Sequence, residues 1–201
     1  MKASISRIAQ RLGRASVGAS AVAVGFALLA TPALAGSSPS AALYCPSVET
    51  SQPFLAFGDP NFYALVPNGN FSETSGGGWQ LSGGAQIVKT TLPNGQTGNA
   101  LSLPHGAKAV SPLMCVDASY LGVRTWVKAI KAPGVGVTAV VAGHRQSQTI
   151  NGPNGIWTSP QAVNVLPGGI NGLAQLHLEL QSMGSGGSVL VYDLYVDPRH
   201  R

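Results

Sequence analysis

Two stretches of the chain alternate between apolar and polar residues, which is the pattern of a β-strand with one buried face. In 173–181 three leucines share one face, and the opposite face carries Gln175, His177, Glu179 and Gln181. In 122–130 small and β-branched residues share one face, and the opposite face carries Arg124, Trp126 and Lys128. Strands of this kind form antiparallel sheets that pack on a core with one side and meet water with the other.

Short runs rich in β-branched, aromatic and leucine residues recur along the chain after residue 60. Gly, Pro and Asn separate these runs, and from residue 36 onward no stretch keeps helical apolar spacing for three turns without a Gly or Pro. The pattern predicts an all-β fold, a two-sheet antiparallel β-sandwich. The predicted strands are 62–66, 85–90, 100–103, 107–111, 114–117, 122–130, 135–143, 162–166, 173–181 and 189–196.

Two further expectations concern the last run and a gap between two earlier runs. In the last run an apolar stripe is formed by Leu190, Tyr192, Leu194 and Val196. A continuous stripe predicts a strand at the centre of a sheet rather than a frayed end. Residues 146–160 show no comparable run, and we predict a long turn region there.

The first 35 residues have the features of a secretory signal. Four basic residues precede an apolar stretch, and the small-x-small tripeptide Ala33-Leu34-Ala35 is a cleavage site. A membrane-spanning helix is the competing interpretation, but the fully apolar part, 21–30, is shorter than the roughly 20 residues a span needs, and Pro32 interrupts it. We expect a secreted, extracellular protein of bacterial type.

The domain organisation follows from that signal. We expect a signal peptide over 1–35, a disordered Ser/Ala/Pro leader over 36–42 and one β-sandwich domain over 43–201. Cys45 and Cys115 are the only cysteines of the 201-residue chain. In an exported chain an even count indicates a disulfide, and two free thiols are the alternative.

The charge of the chain changes once the signal is set aside. Four of the twelve Lys and Arg lie in it, which leaves eight against seven Asp and Glu. The remaining cations are scattered, whereas a nucleic-acid-binding domain keeps a basic patch in its folded part. We therefore expect no nucleic-acid partner, and no membrane partner after cleavage of the signal.

Two segments carry a resemblance to a known family. The first is 65–73, Leu-Val-Pro-Asn-Gly-Asn-Phe-Ser-Glu, with Gly78-Trp79 and 98–103 after it, and the second is the final run 189–197. The first resembles the opening of carbohydrate-binding modules of families 4, 9 and 22, and the second resembles the closing strand of these galactose-binding-like jelly rolls. The resemblance implies a jelly roll that binds a glycan.

The resemblance also bears on cofactors. Acidic positions in these two segments of the family often help to hold a structural calcium ion, and the candidates here are Glu73 and Asp193. The chain departs from the family pattern at Ser72 and Tyr192, where the family has acidic residues. No other cofactor is implied.

Catalytic motifs are not found in the sequence. It contains no Gly-x-Ser-x-Gly elbow, no His-Glu-x-x-His zinc motif and no phosphate-binding loop. Its acidic residues form no pair that sequence can detect, although glycoside hydrolysis needs two. His177 and Glu179 share a strand face, but we expect no enzyme.

The three tryptophans have different expected roles. Trp126 lies on the polar face of its strand, where it could stack on a sugar ring, and the alternative is that a loop covers it. Trp79 follows three glycines at a position that the family packs into its core, so we expect it to be structural. Trp157 could cap the core or form a contact carried by a loop.

Two functions stay open. The first is a secreted, non-catalytic carbohydrate-binding module for a cell-wall or environmental polysaccharide or a cell-surface glycan, acting as a monomer. Its predicted site is one shallow groove on one sheet face, formed by Arg124, Trp126, Lys128, Gln175, His177 and Glu179. The second is an extracellular structural or protein-interaction domain on the same scaffold without sugar binding.

Overall fold

A computed structural model describes Cys45 and residues 47–119, 121–158, 160–170 and 172–197. The predicted signal peptide and leader lie outside these residues. No helix in the described part of the chain has the length and apolarity to cross a membrane. The strands are β1 (Thr50–Ser51), β2 (Tyr63–Leu65), β3 (Gln80–Ser82), β4 (Gln86–Thr91), β5 (Thr97–Pro104), β6 (Lys108–Val110), β7 (Met114–Asp117), β8 (Gly122–Ile130), β9 (Gly134–Val141), β10 (His144–Asn151), β11 (Val163–Asn164), β12 (Leu173–Ser182) and β13 (Ser188–Asp197).

The strands form two antiparallel sheets, which confirms the predicted all-β sandwich. In sheet A the order is β1-β2-β13-β5-β4, and β8 pairs with the other side of β13 and with β11. In sheet B the order is β10-β9-β12-β6-β3, and β7 also pairs with β12. The segment that connects β1 to β2 contains a short 3₁₀ turn, Leu55–Phe57.

The core lies between the two sheets and is built by the alternation seen in the sequence. Val123 and Val127 of β8 and Leu176, Leu178 and Leu180 of β12 are fully buried in one hydrophobic cluster. Each such side chain contributes about 1.5–3 kcal/mol when it leaves water. The predicted face assignments of both strands are therefore confirmed.

A disulfide joins Cys45 to Cys115, as predicted, with the two Cα atoms 5.3 Å apart. Cys115 belongs to β7 of sheet B, so the bond ties the start of the described chain to that sheet.

β13 lies at the centre of sheet A, as predicted. The prediction that Leu190, Tyr192, Leu194 and Val196 form one apolar face of this strand is wrong. A β-bulge shifts the register against β8 between Tyr192 and Tyr195. The residues that join the core are therefore Val189, Val191, Leu194 and Val196. One extra residue in a strand exchanges its two faces. Tyr192, before the bulge, therefore faces outward, although Leu194 and Val196 after it face the core.

Hydrogen bonds hold the bulge from β8 on one side and from the turn after β2 on the other. The Thr125 hydroxyl of β8 donates to the Tyr192 carbonyl over 2.9 Å. On the other side the Leu194 carbonyl accepts from the Val66 N–H over 3.0 Å, and the Leu194 N–H donates to the Gly69 carbonyl over 3.1 Å. A Cβ at Gly69 would lie 2.7 Å from the Leu194 carbonyl oxygen, so this approach requires glycine.

Trp79 is structural, as predicted. It is buried, and its indole N–H donates to the Pro67 carbonyl over 2.9 Å. Its ring packs on Phe71 with centroids 5.3 Å apart. The tryptophan of the Gly78-Trp79 element therefore packs in the core next to the turn after β2.

The prediction of a long turn over 146–160 is wrong in its first part, because β10 continues to Asn151. This strand pairs with β9 through its backbone, and only Ile150 is buried. A strand at the end of a sheet needs no buried side-chain row to form, so it left no apolar pattern in the sequence.

Candidate functional site

The six predicted site residues lie on two different sheets. β8 belongs to sheet A and β12 to sheet B, and both bury their aliphatic faces in the core between the sheets. Their outer faces therefore point to opposite sides of the sandwich. The prediction of one groove formed by Arg124, Trp126, Lys128, Gln175, His177 and Glu179 is wrong, because alternation fixes which side of a strand is wet but not which sheet holds the strand.

On sheet B, Glu179 is engaged in an ion-pair network. Arg145 donates two hydrogen bonds to its carboxylate over 2.9 and 2.6 Å, and the Lys108 ammonium lies 2.7 Å from it. The Arg145 hydrogen bonds are the largest of the interactions that lower the pKa of Glu179, to about 2. His177 Nε2 lies 3.7 Å from the same carboxylate. Glu179 is thus a shared anion whose acceptor oxygens are already in use.

Gln175 and His177 line a cleft of about 440 Å³ on the same sheet. Most of its other lining residues are apolar, and Leu113 and Leu173 are 59% and 54% exposed. No Phe, Tyr or Trp is among these lining residues. The sheet B cleft therefore offers apolar contact and one imidazole ring, but no phenyl, phenol or indole ring for a sugar to stack on.

On sheet A, Arg124 is held by residues 54–59, which we call the covering segment. Its guanidinium lies 2.7 Å from the Asp59 carboxylate and 4.9 Å from the centroid of the Phe54 ring. Tyr63 donates to the same carboxylate over 2.6 Å. Burial is the main cause that raises the pKa of Tyr63 to about 12, and its bond to Asp59 adds to it. Arg124 therefore fastens the covering segment to the sheet.

A polar cleft of about 360 Å³ lies beside this cluster and is lined by Arg124 and both Asp59 and Asp197. Both Asp59 oxygens already accept hydrogen bonds, from Asn61 and from Tyr63. Tyr63, the one aromatic residue in the lining, is buried. This cleft therefore has no exposed phenyl, phenol or indole ring either.

Trp126 is half-buried and opens into a third cleft, of about 310 Å³, which we call the aromatic cleft. Its lining residues are Phe57, Pro93, Asn94, Trp126, Tyr192 and Asp193. The Phe57 ring contacts Trp126 edge-on with centroids 5.6 Å apart. The covering segment thus packs against the tryptophan ring, and both Phe57 and Trp126 line the cleft.

Lys128 and Trp157 extend this aromatic surface. Trp157 donates its indole N–H to the Thr91 carbonyl over 2.8 Å and packs edge-on against Tyr192 with centroids 6.4 Å apart. The Lys128 ammonium lies 6.0 Å from the centroid of the Trp157 ring. Trp157, whose role the sequence left open, is therefore a contact carried by a loop, next to the aromatic cleft.

Asp193 is the one acidic residue in the lining of the aromatic cleft. It occupies the bulge of β13 with a φ of 53°, a conformation that Asp adopts more readily than most residues. Burial raises the pKa of Asp193 to about 6, and a hydrogen bond with Tyr192 offsets part of that shift. The carboxyl group is therefore close to half ionised at mildly acidic pH.

Of the residues that line the aromatic cleft, the sequence indicated only Trp126 as a binding residue, and it missed the aromatic residues Phe57 and Tyr192. Tyr192 was placed in an apolar stripe, and Phe57 lies in a segment without periodicity. The acidic Asp193 inside an otherwise apolar run was the available signal, because a charged residue at a core position indicates a bulge. Phe57 left no such signal.

The implied calcium site does not fit these residues. Glu73 is exposed, and its N–H donates to the Asn68 side chain over 3.0 Å, which closes the turn without an ion. Asp193 lines the aromatic cleft. Within the described residues no three His, Cys, Asp or Glu side chains are grouped so as to hold a metal ion, and we derive no role for calcium.

Comparison with known proteins returns only solved structures, since no family model and no curated protein matches the chain. A family 61 carbohydrate-binding module in complex with beta-1,4-galactotriose is 15% identical, with a TM-score of 0.46, covering 67% of this chain and 98% of that one. A family 22 xylan-binding domain from Paenibacillus barcinonensis is 14% identical, with a TM-score of 0.41, covering 66% and 93%. An exo-beta-agarase is 14% identical, with a TM-score of 0.46, covering 62% of this chain but 23% of that one.

Proposed function

We propose that this chain is a secreted, non-catalytic carbohydrate-binding domain whose glycan lies in the aromatic cleft of sheet A. One observation carries the proposal: the half-buried Trp126 forms a cleft wall together with Phe57 and Tyr192, and the polar side chains of Asn94 and Asp193 line the same cleft. Sites for small ligands combine apolar and aromatic walls with a few placed polar groups in this way.

The chemistry of a sugar ring matches this lining. Its C–H faces are apolar and lie flat on an aromatic ring, while its hydroxyls need donors and acceptors at the rim. Phe57 is 52% exposed, so a ligand that covers it removes apolar surface from water at about 25 cal/mol per Å². The aromatic cleft therefore supplies both kinds of contact that a sugar needs.

Binding without hydrolysis fits the carboxylates of this cleft. A glycoside hydrolase of the usual kind places two carboxyl groups on either side of the bond it breaks. Among the residues that line the aromatic cleft, Asp193 is the one carboxylate. The disulfide supports export, because such bonds persist in oxidising compartments.

Retention of the full chain in polysaccharide gels tests the proposal. We expect Trp126→Ala to weaken retention on a polysaccharide that holds the parent by at least about tenfold, which corresponds to about 1.4 kcal/mol. Its melting temperature should stay within about 3 °C of the parent. Phe62→Ala is the matched control, because Phe62 is 55% exposed and lines neither cleft of sheet A.

Two outcomes would contradict the proposal. One is unchanged retention of Trp126→Ala, and the other is an equal loss in Phe62→Ala.

The second candidate function is a structural or protein-interaction domain without sugar binding. It is favoured by the sheet B cleft, where exposed Leu113 and Leu173 offer apolar contact area. Absence of retention on every polysaccharide tested would favour this candidate over the first.

A further inference from the structure

We propose that Asp193 makes the aromatic cleft selective for neutral glycans over glycans whose sugar units carry carboxylates. The inference rests on the proposed function, because it concerns the ligand held in that same cleft. It adds a chemical class of ligand and a residue that discriminates.

The β-bulge is what brings Asp193 to the cleft. Before the bulge Val189 and Val191 face the core, so regular alternation would also turn residue 193 inward. The extra residue breaks that alternation, and Asp193 lines the cleft instead. Bulges often re-aim a side chain next to a functional site.

The surrounding structure holds this conformation firmly. The carbonyl of the residue before Asp193 accepts from Thr125, and both backbone groups of Leu194 are bonded to the turn after β2. A positive φ outside glycine is strained and persists only where neighbours fix it. Asp193 is thus a rigid group at a set place in the cleft lining.

An ionised carboxylate at this place discriminates by charge. It can only accept hydrogen bonds, which sugar hydroxyls can donate, and such charge-assisted bonds are roughly twice as strong as neutral ones. A carboxylate on the ligand would instead bring a second negative charge into a partly buried cleft, which is unfavourable.

In the described part of the chain no cation forms an ion pair with Asp193. Of the two cations on the outer face of β8, Arg124 is paired with Asp59 and Lys128 lies over Trp157. The cleft residues from the covering segment and the β4–β5 turn are Phe57, Pro93 and Asn94, all uncharged. The titratable groups that face Asp193 are Tyr192 and Tyr195 of its own strand.

The discrimination should depend on pH. Since burial raises the pKa of Asp193 to about 6, the group is mostly ionised at pH 7.5 and mostly neutral at pH 5. A sugar carboxylate resembles an α-carboxyl group, with a pKa of about 3.5, and stays ionised at both values. Lowering the pH therefore removes the charge from the cleft while the ligand keeps its own.

The experiment compares a bound hexose polysaccharide with the same polysaccharide oxidised at C6 to the uronate. β-Glucan, galactan and mannan serve as the starting panel, and affinity is measured for the full chain at pH 5 and pH 7.5. The test variant is Asp193→Asn, because Asn also adopts a positive φ and keeps the shape of the side chain. Glu73→Gln is the matched control, since Glu73 is exposed and lies outside the cleft.

We expect the parent and the control to prefer the neutral polymer by about tenfold at pH 7.5 and by about threefold or less at pH 5. In Asp193→Asn the preference should be small and equal at the two pH values. Trp126-dependent binding with the same preference and pH dependence in parent and Asp193→Asn would overturn this inference alone. Absence of any Trp126-dependent binding would overturn the proposed function together with it.

Discussion

On the outer face of sheet B, Glu179 pairs with the more exposed Lys108 and Arg145, whereas on sheet A the covering segment packs against Arg124. Each face contains a strand in which buried and more exposed residues alternate, β8 in sheet A and β12 in sheet B. The covering segment turns one face into clefts with aromatic walls, and the other keeps an ion-pair network. The segment that connects β1 to β2 therefore gives sheet A a cleft lining that sheet B does not have.

Each face contains one arginine–carboxylate pair, and the pairs differ in burial. The two carboxylates are about equally buried, with Asp59 exposing 11% and Glu179 13% of the side chain, but Arg124 exposes 16% and Arg145 exposes 52%. Water therefore screens the second pair more than the first. The first pair contributes to stability by fixing the covering segment, and the second adds little beyond solubility.

Loss of the disulfide is the largest change we expect. Replacing both Cys45 and Cys115 by Ser reopens a loop of 70 residues and should lower the free energy of unfolding by about 4 kcal/mol. The effect should extend to sheet A, because Cys45 lies at the start of the chain that leads into the covering segment. Urea unfolding measures the first effect, and quenching of tryptophan fluorescence, to which Trp126 contributes, measures the second. A change in the free energy of unfolding below about 1 kcal/mol would contradict the prediction.

The two arginines give the next comparison. Arg124→Met should lower the free energy of unfolding by about 2 kcal/mol, less than the ~3–5 kcal/mol for a fully buried pair, because it leaves the Asp59 charge largely buried. Arg145→Met should leave it nearly unchanged at physiological salt. Equal effects of the two variants in urea unfolding would show that the covering segment is not fastened by Arg124.

The smallest effect concerns pH and has opposite signs on the two faces. The pKa of Asp193 is raised from 3.8 to about 6 in the folded state, so its contribution to stability is full below about pH 4 and is lost as the pH rises through 6. The pKa of Glu179 is lowered from 4.5 to about 2, so its contribution is present above about pH 4.5 and is lost as the pH falls through 2.

We therefore expect Asp193→Asn to match the parent at pH 4 and to exceed it at pH 7.5 by about 1–2 kcal/mol, after a discount for partial solvent exposure. Thermal unfolding at the two pH values measures the difference. If the stability of the parent instead increased relative to that of Asp193→Asn as the pH rises, the Asp193 carboxyl would not be buried as described.

The sequence predicted the faces of β8 and β12 correctly, but it missed β10, assigned the faces of β13 wrongly and did not show that β8 and β12 lie in different sheets. The alternation of β8 and β12 comes from local burial, and the structure confirms it residue by residue. Which strands pair depends on contacts between distant segments, for which a single sequence contains no direct signal. The predicted groove failed at this step.

The candidate site shows the same division. Trp126 was found because a large aromatic residue on a polar face is unusual. Tyr192 and Asp193 were hidden by the bulge, since an inserted residue reverses every face assignment after it. Phe57 was hidden because its exposed position in a 3₁₀ turn follows from the Arg124–Asp59 pair, which joins residues 65 positions apart.

The polar strand β10 has a consequence for association between copies of the chain. It ends sheet B and offers a row of backbone donors and acceptors to any extended segment that approaches. Its side chains include Arg145, Gln146 and Gln148, which would have to lose their water before a second copy could pair there. The polar composition of β10 left no apolar pattern in the sequence, and the same composition disfavours pairing of this edge with a second copy of the chain.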